Sequence, residues 1–157
     1  MPEPLSLLLS QAPADVLIPT DTPWVPMVPN ADGPWFRLLR ILPNHRGYIA
    51  QLKLKPGQSI PPHRHTGTVL ALNLQGSRRI HTGEVVHAGD FVYEPEGSVD
   101  SWQAVGDEYL VVHIQVTGDV EYLDERGKVA VVYNAQVLEA AYRKFCQTQS
   151  LPVRNLQ

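Results

Sequence analysis

Cysteine is almost missing from this chain, since Cys146 is the single thiol among 157 residues. One cysteine excludes an internal disulfide and fits a reducing compartment such as the cytoplasm. No residue near Cys146 in the sequence would activate it as a nucleophile, so we interpret it as a structural thiol, half-buried on the last helix.

An excess of positive charge is also missing. The chain has 13 Lys and Arg against 16 Asp and Glu, which gives a formal net charge of -3, and its basic residues are scattered. Proteins that bind nucleic acid usually present a basic patch or stripe. Nucleic acid is therefore not an expected partner.

Long apolar runs are missing as well. No run approaches the roughly 20 residues that span a bilayer, and residues 1–10 lack the positive lead-in and the apolar stretch of a secretory signal. We therefore expect a cytoplasmic protein with no membrane partner. With 157 residues, of which 43% are hydrophobic and 18% charged, the chain can build a single core.

Most of the 14 prolines fall within residues 1–34. Proline removes a backbone donor and disfavours helix, so this segment is predicted to be an extended arm, and residues 35–157 form the main domain. The apolar residues Trp24, Val25 and Met27 could pack on this domain or cross to a second copy of the chain. A homo-oligomer, either a dimer or a tetramer, is expected.

From residue 35 onward, short apolar or alternating runs recur between turns that contain Gly or Pro. Many short strands at such spacing indicate an all-β sandwich or closed barrel, and we predict a single antiparallel jelly-roll barrel. One helical pattern follows, in which Asn134 caps a segment at about residues 135–147. The nine runs are Trp35–Leu42, Tyr48–Leu54, Thr68–Leu74, Arg78–His81, Glu84–His87, Phe91–Glu94, Tyr109–Val116, Val120–Leu123 and Val129–Val132.

The residues best suited to chemistry lie between Gly57 and Asp100. His63 and His65 are one residue apart in an extended stretch, so both imidazoles point to the same side and can reach one ion. Asp100 follows a later Gly-Asp turn and strand, and would complete a set of two histidines and one carboxylate, the arrangement of non-haem Fe(II) oxygenases. The alternatives are two ordinary histidines beside a Pro-Pro turn and an aspartate that caps a loop.

The spacing of glycine, proline and histidine in this segment resembles the cupin superfamily. The residues that match are Gly57, His63 and His65 for the first cupin motif, and Gly89, Pro95 and Gly97 for the second. Over residues 22–148 the chain looks like the small single-cupin dioxygenases of the acetylacetone and 2,4'-dihydroxyacetophenone type. The resemblance implies a jelly-roll fold, a bound divalent metal and dioxygenase chemistry.

The chain departs from the cupin pattern at two ligand positions. The Glu of the first motif falls at Val69 or Leu70, neither of which binds metal, and Asp100 stands where the second motif has His. The resemblance suggests an exchange, in which His81 supplies a histidine and Asp100 a carboxylate. An ungapped comparison puts Thr82 at this position instead, and a shift of one residue turns a strand side chain to the other face. A surface histidine in a hairpin is the alternative for His81.

His113 and Arg79 are candidate catalytic residues. His113 lies on one face of the predicted strand Tyr109–Val116, opposite an apolar face. If its face lines the cavity, His113 could orient substrate or carry a proton, and a core or outward histidine is the alternative. Arg79 and Arg40 could hold an anionic or enolate oxygen through their forked donors, or could be solvated residues of a strand.

Together these features predict a metal-dependent dioxygenase that cleaves a carbon–carbon bond in a small ketone, a β-diketone or a hydroxyacetophenone, with O2 as second substrate. Fe(II) is the expected cofactor, and Zn, Mn or Ni could occupy the site in a purified sample. One alternative is a non-catalytic or metal-poor ligand-binding cupin, which the loss of the usual Glu and His would support. The other is an isomerase or lyase that uses the same metal without O2.

Overall fold

The computed structural model describes residues 3–11 and 14–157, so residues 1–2 and 12–13 of the predicted arm lie outside it. In chain order the elements are α1 (Leu5–Ser10), a 3-10 turn (Pro19–Asp21), β1 (Val25–Pro26), β2 (Trp35–Ile41), a second 3-10 turn (Pro43–His45), β3 (Gly47–Leu54), β4 (Ser59–His65), β5 (Val69–Gln75), β6 (Ser77–Ile80), β7 (Val85–Val86), β8 (Phe91–Glu94), β9 (Val99–Val105), β10 (Leu110–Thr117), β11 (Val120–Leu123), β12 (Val129–Tyr133) and α2 (Ala135–Thr148).

The strands form two six-stranded sheets, one in the order β1-β2-β3-β10-β5-β8 and the other in the order β12-β11-β4-β9-β6-β7. All neighbouring strands run antiparallel. Buried side chains from both sheets join in one hydrophobic cluster, as in a two-layered β domain. The predicted all-β jelly-roll fold is confirmed.

Strand β10 shows how the sequence selects the inner face of the barrel. Its side chains alternate between buried and partly exposed along the whole strand, and the buried set includes Leu110, Val112 and Val116. Because side-chain direction repeats every second residue, the apolar face of this strand must turn inward. The opposite face, which carries His113, turns outward.

The C-terminal helix α2 matches the helical pattern of the sequence. Asn134 accepts a hydrogen bond from the backbone N–H of Val137 at 3.0 Å, which satisfies one of the free donors at the helix start. The helix packs on β1 and β2, and its buried side chains include Leu138, Tyr142 and Cys146. Cys146 is fully buried rather than half-buried. Burial raises the pKa of this thiol, which fits a structural role.

Strands β4 and β9 are missing from the nine predicted runs, although they carry much of the site. In β4 the Pro61-Pro62 pair breaks the alternating pattern, and the strand accommodates it with an irregularity between Ile60 and His63. In β9 a charged residue, Asp100, occupies an inward position that is usually apolar. The alternation of apolar and polar residues that predicts a strand is therefore weak in the two strands that place polar groups inside the barrel.

The arm contains a short helix that the sequence did not predict. Helix α1 spans six residues, and none of its side chains is buried. The prolines of this segment flank Leu5–Ser10 rather than interrupt it, so the expectation of a fully extended arm is wrong there. Within the described residues, no helix has both the length and the apolar character that crossing a membrane requires.

Candidate metal centre

His63 and His65 lie side by side on the inner face of β4. They are 3% and 5% exposed, and their ring centroids are 4.9 Å apart. Strand β4 pairs with β9 on one side and with β11 on the other, so both backbone edges are fixed at this point. The extended backbone thus aims both imidazoles at one volume inside the barrel.

Each of the two rings has a nitrogen lone pair that is free to bind a metal. His63 Nδ1 donates to the carbonyl of Pro61 at 2.8 Å, and this bond leaves Nε2 unprotonated in the neutral ring. Neither ring nitrogen of His65 has a hydrogen-bond partner among the described residues, although both are buried. A buried polar atom without a partner is costly, and a bound cation would supply the missing contact.

Glu94 provides the carboxylate of the cluster. It ends β8, and its Oε2 lies 3.6 Å from Nε2 of His65. One ligand atom from each of His63, His65 and Glu94 lies within 4.8 Å of the others. Two imidazoles and one carboxylate fit a divalent metal such as Fe(II), Mn(II) or Zn(II).

Sequence reasoning missed Glu94, and the reason is the unusual pattern of β8. Phe91 and Tyr93 are 62% and 57% exposed, so the large apolar residues face outward while Val92 and Glu94 face inward. Hydrophobic alternation alone assigns the opposite faces. The sequence feature that could have identified Glu94 is its place immediately before Pro95, inside the second motif. Glu94 is two residues after Val92, so both side chains lie on the same face of the strand.

Burial shifts the pKa values of all three residues toward their neutral forms. It raises the pKa of Glu94 to about 7, and the nearby charge of Asp100 adds to this shift. It lowers the pKa of His65 to about 4 and also lowers that of His63. Near neutral pH the histidines are therefore unprotonated and ready to bind a cation, whereas Glu94 must lose a proton.

Asp100 borders this cluster but is not a member of it. It is 8% exposed and lies opposite His63 in the pairing of β9 with β4. Its Oδ1 accepts hydrogen bonds from the backbone N–H of Ser101 at 2.8 Å and from Nδ1 of His81 at 2.5 Å. His81 lies in the turn after β6, with half of its side chain exposed, and Thr82 beside it is exposed. The structure thus joins Asp100 and His81 to each other at the edge of the cluster.

The structure does not bring His113 or Arg79 into the site. The inner face of β10 is the apolar one, so the face with His113 does not line the cavity, and the condition for a catalytic role is not met. Arg79 is exposed on β6, while its neighbour Arg78 is buried inside. A shift of one residue along a strand reverses the face, so Arg78 rather than Arg79 points into the barrel. Arg40 is also outside, where it pairs with Asp15.

A cavity of about 60 Å³ lies beside the cluster formed by His63, His65 and Glu94. Its walls are mostly apolar, and among the described residues that line it only Arg78 has a permanent positive charge. Met27 from the arm and Leu138 from α2 contribute to the lining, so the cavity is closed in part by segments outside the sheets. Such a chamber can exclude water around a small bound molecule.

Solved structures with similar folds include an RmlC-like cupin protein from Ralstonia eutropha JMP134, which is 28% identical to this chain. The match covers 96% of this chain and 98% of the Ralstonia chain, with a TM-score of 0.87. An acetylacetone dioxygenase from Acinetobacter johnsonii is 19% identical, with coverage of 85% and 93% and a TM-score of 0.73. A putative acetylacetone dioxygenase from Methylibium petroleiphilum PM1 is 17% identical, with coverage of 85% and 96% and a TM-score of 0.74. No curated protein matches the chain.

The family comparison agrees with the fold and with the two motifs. The model of the ChrR cupin-like domain matches residues 13–120, which is more than half of the chain. This range includes both histidines of β4, Glu94 and Asp100. The chain therefore belongs to the ChrR cupin-like domain family, within the cupin superfamily.

Proposed function

We propose that this protein is an Fe(II)-dependent dioxygenase that splits a carbon–carbon bond in a small ketone able to bind the metal through two oxygens. The observation that carries the proposal is the cluster of His63, His65 and Glu94, whose ligand atoms lie within 4.8 Å of one another beside an apolar cavity. Three protein ligands leave coordination positions open for substrate and O2. When bound there, Fe(II) would supply Lewis acidity and the capacity to react with O2.

The protein residues prepare the site in three ways. His63 is held in one tautomer by the carbonyl of Pro61, so its free nitrogen has a fixed direction. The apolar walls keep water away from the reacting carbon. Glu94, with a pKa of about 7, gives up its proton as a cation binds, and so balances part of the charge that enters the cavity.

The similar solved structures named acetylacetone dioxygenases share the fold of this chain. Their identity to it is low, so they supply only the reaction class for the proposal. The ligand cluster and the cavity are properties of this chain itself. Together they favour a small chelating ketone over a large substrate.

The test is oxygen uptake by the metal-free protein after anaerobic loading with Fe(II), with acetylacetone or 2,4'-dihydroxyacetophenone as substrate. Uptake that depends on both iron and substrate is expected, together with products of chain cleavage. His63→Ala, His65→Ala and Glu94→Gln should each abolish it. His87→Ala is the matched control, because His87 is exposed and its ring bonds to Ser77 outside the cavity.

Three outcomes would contradict the proposal. Substrate turnover without oxygen uptake would identify an isomerase or lyase that uses the same site. Failure of the protein to retain any divalent metal after loading, measured by mass spectrometry, would identify a non-catalytic binding protein. Activity that survives in all three site variants would place the chemistry elsewhere.

A further inference from the structure

Arg78 is a buried cation that forms no ion pair with the described residues. Its side chain lies in the wall of the cavity, 2% exposed, together with the three residues of the metal cluster. The ion pairs formed by the described residues do not include it. Glu94 and Asp100 lie near enough to act on its charge, but neither is within ion-pair distance of it, so an anion in the cavity could contact the guanidinium directly.

Two neighbours hold the guanidinium of Arg78 in place. Its Nε donates to Oδ1 of Asn73 at 3.2 Å, and its central carbon lies 4.8 Å from the ring centroid of Trp102. Asn73 is itself fixed, because it is 1% exposed and its Nδ2 donates to the carbonyl of Val86 at 3.0 Å. The guanidinium is therefore preorganised, and little side-chain freedom remains to be lost when a ligand binds.

One nitrogen of this group is buried without a hydrogen bond to the described residues. The Nη2 of Arg78 is buried and has no hydrogen-bond partner among the described residues. A ligand oxygen with negative charge would satisfy it with a charge-assisted hydrogen bond, whereas a neutral carbonyl would leave the positive charge unbalanced. A carboxylate suits this donor best, since its charge is permanent at neutral pH.

We propose that Arg78 binds a carboxylate of the substrate, so that the site prefers a small oxo acid over a neutral ketone of the same size. That the substrate contains a ketone rests on the proposed function. That it contains a carboxylate rests on Arg78 alone. The small volume of the cavity, about 60 Å³, restricts the acid to a short carbon skeleton.

The test compares acetoacetate with acetoacetamide, which have the same skeleton but differ in charge. Both are titrated calorimetrically into protein loaded with Zn(II), which is not redox-active and so prevents oxidative turnover. Acetoacetate should bind about 10- to 100-fold more tightly, because one hydrogen bond to a charged group has about that effect. Arg78→Met should remove this preference, and Arg79→Met, which changes the exposed neighbour, should keep it.

Thermal unfolding separates a binding role of Arg78 from a structural one. Arg78→Met removes a buried charge but also the donor to the buried Oδ1 of Asn73, and because the two effects on stability oppose each other, Tm should change little. A lower Tm together with intact acetoacetate preference would mean that Arg78 only supports the fold. Should Arg78→Met fail to fold, Arg78→Lys keeps the charge, and it should retain the preference for the acid with a weaker Kd.

The experiment distinguishes failure of this inference from failure of the proposed function. Equal binding of the two probes to wild-type protein that carries metal would overturn the role of Arg78 and leave the metal chemistry untouched. Persistence of the acid preference in Arg78→Met would overturn it as well. Loss of metal binding in the wild-type protein would overturn the proposed function, and acetoacetate preference in the metal-free protein would then still support the inference.

Discussion

Glu94 and Val69 lie directly opposite each other in the antiparallel pair of β8 with β5, and both line the cavity. Val69 is one of the positions at which the cupin pattern expects its metal-binding glutamate. The carboxylate of this chain therefore enters from the neighbouring strand at the same level of the barrel. Cross-strand partners have Cβ atoms about 5 Å apart, so a carboxylate at Glu94 can place its oxygens close to where a glutamate at the position of Val69 would place them.

Glu94→Gln should lower the affinity for a divalent metal more than any other change of an acidic residue in the chain. The amide removes the negative charge but keeps the size of the side chain, so a loss of at least about 10- to 100-fold is expected. Competition with a chromogenic chelator measures it. Glu96→Gln is the matched control, because Glu96 is exposed in the turn that follows. Equal affinities of the two variants would show that Glu94 is not a ligand.

Metal affinity should rise with pH up to about 7 and then level off. Burial raises the pKa of Glu94 to about 7, so below this value the ion must displace a proton. One displaced proton corresponds to about tenfold in affinity per pH unit. His65 adds nothing to the slope in this range, because burial lowers its pKa to about 4. Calorimetry in buffers of different ionisation enthalpy counts the released proton, and Glu94→Gln should release none.

The metal-free protein should show opposing effects of Glu94 and His65 on stability. At pH values between the ordinary pKa of glutamate and about 7, Glu94 keeps a proton in the folded state that it loses on unfolding, so its contribution falls as pH rises. Between about pH 4 and the ordinary pKa of histidine, His65 gains a proton on unfolding, so its contribution rises with pH.

The Glu94→Gln variant isolates the contribution of Glu94, because the contribution of His65 is present in both proteins. Relative to wild type, Glu94→Gln should gain stability as pH rises from about 5 to 7, by up to about 1.4 kcal/mol per pH unit. Urea unfolding at several pH values measures the difference. A pH-independent difference between the two proteins would show that Glu94 has an ordinary pKa in the folded state.

Asp100 should support the site with a smaller effect than Glu94. Its Oδ1 is engaged by Ser101 and His81, so we expect Asp100→Ala to weaken metal binding by about tenfold, as loss of an outer partner does. Asp100→His should keep metal binding, because it restores the histidine of the second cupin motif beside His63. An effect of Asp100→Ala as large as that of Glu94→Gln would instead make Asp100 a ligand.

The sequence predicts the fold well because the pattern is redundant. Each of the nine runs overlaps a strand, and Asn134 marks the start of the last helix, since alternation and capping act locally. The sequence misses the two-residue strand β1 and the two long strands β4 and β9, which depart from the usual pattern through a proline pair and a buried aspartate. Both exceptions occur at the candidate site, where function competes with local preference.

The site itself is only partly readable from the sequence. The shared direction of His63 and His65 follows from their spacing on a strand, which is a local property. The contribution of Glu94 depends on which strands become neighbours, and no local pattern contains that information. The choice between Arg78 and Arg79 depends on a register of one residue, which is set by the pairing of β6 with β9.

Met27 and Leu138 have a consequence for how such proteins can diversify. Both line the cavity, yet Met27 belongs to the arm and Leu138 to the C-terminal helix, and neither touches the backbone pairing that fixes the metal cluster. The arm is anchored beside the helix, where the hydroxyl of Tyr133 donates to the carbonyl of Met27 at 3.3 Å. Substitutions in these two segments can therefore change which molecules fit the cavity without moving the strands that carry His63, His65 and Glu94, so ligand selectivity and the candidate metal site are free to evolve separately.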